Sequence, residues 1–149
     1  MSEPSRELLR CAAALLDQGR IADRLSRLLT AAAIGGVLLY PAIAVRPPWV
    51  MPGCATLVAL AGLGEVYFAI RVALDRALFE RIARAREAPD FAATDEALMQ
   101  LGLMPASKAG RPIDARVAGA RRLLQLQIVA LAAQVLLTLA GATAALAFR

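Results

Sequence analysis

The chain has no histidine, two cysteines and only 5% aromatic residues in 149 positions. Each shortage removes a class of chemistry. Without imidazole, a His-based catalytic triad and a His-containing metal centre are both excluded. Two cysteines cannot form a disulfide framework, and the topology argued below separates Cys11 from Cys54 by a bilayer, so neither an internal bridge nor a shared thiolate metal site is expected. There is also no Gly-rich phosphate loop and no paired acidic cluster on which a general acid/base mechanism could rest. The expectation is a protein that is not an enzyme and needs no cofactor.

What the chain has instead is apolar length. Hydrophobic residues make up 59% and charged residues only 19%, with a mean hydropathy of +0.58, outside the usual soluble range. The excess falls into three blocks, 28–45, 49–70 and 123–148, each near the roughly 20 residues a helix needs to cross the hydrocarbon core. A soluble Ala/Leu-rich bundle is the competing reading, because buried helices also look apolar all round. Against it, Leu28 to Val45 and Leu123 to Phe148 contain no charged residue. A cleaved signal peptide does not fit the first block, which starts too late and lacks a small-residue cleavage site before a soluble domain.

The cations give the orientation. Fifteen of the seventeen precede the first block or lie between the second and third, leaving only Arg46 and Arg149 elsewhere. Lys and Arg are retained on the cytoplasmic side, so the expected topology is amino terminus inside and carboxyl terminus outside, in a bacterial inner membrane. The net charge of +5 then reads as a topology signal with attraction to anionic lipid headgroups, and nucleic acid is not an expected partner.

The expected fold is all-α with three transmembrane helices. Residues 1–27 carry Leu8, Leu9, Ala12, Leu15 and Leu16 at helical spacing, an amphipathic segment expected on the membrane surface. Residues 46–48 leave room only for an external turn, with Trp49 as an interfacial aromatic, so the first two spans form a helical hairpin. In 71–122, a cytoplasmic segment, Leu74, Leu78 and Ile82 continue the second helix toward Pro89. Arg71 with Asp75, Arg76 with Glu80 and Glu80 with Arg84 stand at ion-pair spacing along it. A short helix over Asp95–Leu101, capped by Thr94 and closed by Gly102, precedes a loop over 103–111, and Pro112 starts the helix that becomes the third span.

One charge lies inside an apolar block. Glu65 would cost roughly 2.5–3.5 kcal/mol at a bilayer centre, so such an acid is a functional suspect by default. Six residues separate it from Arg71, about 9 Å along a helix, which lets it lean toward water. Gln125, Gln127 and Thr30 reach a similar depth and complete a candidate polar cluster. Gln134 and Thr138 continue one face of the third span, a line that helix-to-helix hydrogen bonding explains. Ala31 with Gly35, Ala32 with Gly36, Ala140 with Ala144 and Gly141 with Ala145 are small-residue pairs that permit close helix packing.

The stretch "EVYFAIRVALDR" is superficially similar to the second-span signature of prokaryotic diacylglycerol kinases, which are also short three-span proteins. That pattern places an Asn three residues after its Glu and a further Glu four later. Here Phe68 stands at the Asn position and no acid follows until Asp75, so the family's activity is not carried over. The functional expectation is an accessory or assembly subunit that works through helix packing, among membrane lipids and with either copies of itself or a larger membrane protein. The alternative is an oligomeric transporter or channel component using Glu65 for proton or cation coupling.

Overall fold

The computed structural model describes residues 3–39, 49–85 and 91–147. Within them the chain is all-helical: α1 (Glu3–Asp17), α2 (Gly19–Leu39), α3 (Val50–Arg84), α4 (Phe91–Gln100), a short 3₁₀ turn (Ala106–Lys108) and α5 (Ile113–Ala147), with no strand among the described residues. Helices α3 and α5 are long and apolar enough to cross a membrane. At 1.5 Å per residue each of these 35-residue helices is about 52 Å long, well beyond a hydrocarbon core of about 30 Å. The expected first span is only partly visible, because its residues 40–45, with Pro41, and the external turn at 46–48 lie outside the described residues.

Three rods make the bundle. Helices α1 and α2 follow one another along α3, separated at Gln18, where the backbone bonds Gln18 N to Leu15 O and Ile21 N to Gln18 O replace the regular ladder. Both run antiparallel to α3: Asp17 pairs with Arg76 at 3.1 Å, and farther along Gly19 faces Val72 and Thr30 faces Gly62. Helix α5 is also antiparallel to α3, since Glu65 meets Gln127 while Cys54 meets Gly141. The apolar halves of α3 and α5 therefore lie side by side, and so do their charged halves.

The main apolar core sits at the charged end. Leu9, Ala12, Ala13 and Leu16 of α1 pack with Val72, Phe79, Ile82 and Ala83 of α3 and with Ala120 and Leu124 of α5. The apolar stripe of the amino-terminal segment, expected on the membrane surface, is here covered by α3 and α5. Helix α1 thereby supplies a third wall to the core between the charged halves of α3 and α5.

Local expectations hold unevenly. The second helix does continue past Ile70 but closes at Ala85, whose extended ψ of 129° ends it; Pro89 lies outside the described residues. Arg76 pairs with Glu80 at 2.8 Å and Arg84 with Glu80 at 3.5 Å, whereas Arg71 turns from Asp75 and donates to the Leu103 carbonyl at 2.8 Å. The short helix starts at Phe91, earlier than expected, which puts Thr94 inside it. Its end is as expected, with Gly102 at φ 68° and the bonds Leu103 N to Leu98 O and Gly102 N to Met99 O of a left-handed cap.

Candidate functional site

Two glutamines on α5 organise the polar interior. Gln127 Nε2 donates to Glu65 Oε1 on α3 at 2.7 Å and to the Gly19 carbonyl at the start of α2 at 2.8 Å. Gln134 Nε2 donates to Thr30 Oγ1 on α2 at 2.9 Å and to the Val58 carbonyl on α3 at 3.2 Å. Each amide thus joins three helices. The seven-residue interval places both side chains on one face of α5, about 10 Å apart along its axis.

Close backbone approach makes these contacts possible. At Gly62 a β-carbon would collide with Thr30 Oγ1 and lie 2.7 Å from Gln134 Nε2, and at Gly19 one would lie 2.8 Å from Gln127 Oε1. Thr30 Oγ1 accepts from Gln134 and donates to the Ser26 carbonyl at 2.9 Å, so its hydroxyl serves in both directions. Thr138, expected farther along the polar line, donates at 2.7 Å to the Gln134 carbonyl of its own helix.

Glu65, Gln127 and Gln134 are each 0% exposed. Glu65 therefore does not lean toward water as its depth led one to expect; the bundle encloses it. One carboxylate oxygen takes the Gln127 bond, while Glu65 Oε2, Gln127 Oε1, Gln134 Oε1 and Ser26 Oγ are buried with no hydrogen-bond partner among the described residues.

Of the expected cluster, the structure joins Glu65 to Gln127 directly and holds Thr30 one layer away against Gln134. Gln125 does not belong to it and is exposed. The reason is angular: two residues apart on a helix is about 200° of rotation, so Gln125 and Gln127 cannot face the same neighbours. The two carbonyl acceptors, Gly19 and Val58, carried no side-chain signal in the sequence.

The small-residue pairs behave differently from expectation. Nothing lies within 4 Å of where a β-carbon would sit on Gly35 or Gly36, and Ala31, Ala32 and Ala140 are exposed, with Ala144 and Ala145 half-buried. Only Gly141 among these glycines makes a tight approach, with the Cys54 Cβ 3.1 Å from its virtual β-carbon. Close contact is set by Gly19 and Gly62, which face side chains with partners to meet.

A second polar group sits at the charged end. Asp95 on α4 takes two bonds from Arg116 on α5, at 2.8 and 2.7 Å, and a third at 2.8 Å from the Gly110 N–H. Arg116 also covers the Phe91 ring at 5.5 Å and donates through Nε to the Arg111 carbonyl. The Arg116 bonds hold the Asp95 carboxyl below its ordinary range, against the opposing cost of burial and with help from Gly110. This latch fixes α4 and the following loop to α5. Comparison with known proteins finds no matching protein-family model, curated protein or solved structure.

Proposed function

We propose that this chain is a three-span protein of a bacterial inner membrane, amino terminus in the cytoplasm and carboxyl terminus outside, acting as a non-catalytic accessory or assembly subunit through helix packing. The third span is α2 with the residues that follow it. Its support is the uncharged stretch from Leu28 and the exposed Leu28, Ile34, Leu38 and Leu39, which suit lipid or another helix better than water. The amphipathic pattern of residues 1–27 serves the bundle, with Leu8 and Leu15 left on the outer side of α1.

The observation that carries the reading is that Glu65, Gln127 and Gln134 are fully enclosed and joined to one another's helices, as in a staple. None of the three lines the basic cavity beside Arg71 and Arg111 or the apolar one between Gly36, Cys54 and Gly141. Polar groups arranged in this way fix the register of helices; groups on a transport path must meet water or ions. Meanwhile nothing lies within 4 Å of a β-carbon position on Gly35, which leaves room there for the close approach of a helix of another chain. Purification in mild detergent followed by mass spectrometry should recover a stable partner or homo-oligomer. A monomer that retains the biological activity alone would overturn the proposal.

The coupling alternative rests on one feature, the unpartnered Oε2 of Glu65. Three spans are few for a translocation path, so it requires an oligomer. Ion flux in proteoliposomes that is unaltered by Glu65→Gln would eliminate it.

A further inference from the structure

One unassigned feature at the charged end is a cavity of about 510 Å³ between α3, α5 and the loop that joins α4 to α5. Its charged lining is one-sided: Arg71, Lys108, Arg111, Arg116 and Arg122 against Asp75. Asp95 neutralises Arg116, and Asp75 offsets one more cation, which leaves three positive charges uncompensated in the cavity. Among the described residues, Lys108, Arg111 and Arg122 form no ion pair.

These cations are held in place without being consumed. Arg71 donates one N–H to the Leu103 carbonyl and Arg111 one to the Lys108 carbonyl, leaving further donors on each guanidinium. The loop that carries Lys108 and Arg111 is pinned by the Asp95 bond to Gly110, whose φ of 69° suits glycine. The lining also has apolar members, among them Tyr67, Leu123 and Leu126, and Tyr67 and Leu126 reach the surface.

We propose that this cavity binds the phosphate of an anionic phospholipid, with Arg71, Lys108, Arg111 and Arg122 around the headgroup and the acyl chains leaving past Tyr67 and Leu126. This rests on the three-span reading, in which Tyr67 and Leu126 lie at the cytoplasmic edge of the bilayer. Guanidinium groups match phosphate oxygens in pairs, and basic recesses between membrane helices on the cytoplasmic side hold such headgroups. A soluble phosphate ester would satisfy the same cations but would leave the apolar lining unused.

The test uses the full chain in phosphatidylcholine nanodiscs with increasing phosphatidylglycerol, reading retained phosphatidylglycerol by native mass spectrometry. At about 1 kcal/mol per cation, Lys108→Gln with Arg111→Gln should weaken retention about thirty-fold. Removal of two distant cations by Arg20→Gln with Arg27→Gln should change it less than about three-fold. Asp75→Asn should tighten retention, a gain that misfolding cannot produce. Equal losses in the two double variants, or no gain from Asp75→Asn, would overturn the proposal. Displacement of phosphatidylglycerol by millimolar glycerol 3-phosphate would overturn the lipid assignment in favour of a soluble ester. Vesicle flotation distinguishes the failures: a chain that does not float with vesicles refutes the membrane reading, and one that floats while the variants bind equally refutes only the cavity.

Discussion

Gln127 reaches from α5 to Glu65 on α3 across 2.7 Å, with neither side chain exposed to solvent. The same Nε2 also bonds the Gly19 carbonyl, so Gln127→Leu removes two bonds and strands the carboxyl of Glu65. Leaving a buried polar group without partners costs about 1–3 kcal/mol. Glu65→Gln keeps an oxygen to accept from Gln127 and should cost under about 1 kcal/mol, in line with the modest net value of hydrogen bonds in membranes. Unfolding in graded detergent mixtures should rank the two variants in that order; equal losses would mean the pair does not lock α3 to α5.

The glycines offer a sharper contrast. Gly62→Ala should push apart Thr30 and Gln134, because Thr30 is β-branched and already bonded to the Ser26 carbonyl. Overpacking of this kind costs about 1–3 kcal/mol. Gly35→Ala meets nothing within 4 Å and should be neutral, or stabilising by up to about 1 kcal/mol through helix propensity. Loss of stability at Gly35 in the isolated chain would show that its open face is occupied in a self-associated form.

Hydropathy and charge made the helices, their antiparallel order and the long continuation of the second helix legible, since those depend on period and composition. Glu65 and Gln127 could also be matched, because depth along a helix follows from residue count. What escaped was rotation and reach: Gln125 shares the depth of Gln127 but points about 200° away. Backbone carbonyls such as that of Gly19 accept bonds without any side-chain signature. The Asp95–Arg116 latch joins residues 21 positions apart, and nothing local marks that partnership. Nor did the stripe of α1 say whether lipid or α3 would cover it, since both are apolar surfaces.

Acid should open the latch. The Arg116 bonds lower the Asp95 carboxyl from its ordinary 3.8, so its stabilising share is full above that value and is lost as pH falls through the depressed folded value. Hydrogen exchange over α4 should stay slow near neutrality and quicken only in strong acid, and Asp95→Asn should exchange quickly at every pH. Asp75 has the opposite sign. Burial raises its carboxyl despite Arg71, Arg111 and Lys108, so holding it ionised opposes folding once pH exceeds the raised value. Asp75→Asn should therefore raise the melting temperature near neutrality, with the advantage shrinking as pH falls below the raised value and gone by about 3.8; a constant advantage at all pH would mean the effect is not electrostatic.

The two cysteines report orientation without any engineering. Cys11 is exposed on α1, and Cys54 is half-buried near the start of α3, so both sulfurs are reachable from opposite ends of the bundle. In right-side-out vesicles an impermeant maleimide should label Cys54 directly and Cys11 only after the membrane is opened. Cys54 packs against Gly141, so its labelling should be slower than that of Cys11 in the opened sample; Gly141→Ala, which pushes on Cys54, should alter that rate while leaving Cys11 unchanged. Labelling of Cys11 first in sealed vesicles would invert the topology and move the basic cavity to the outer surface, away from the leaflet where its anionic ligand is expected.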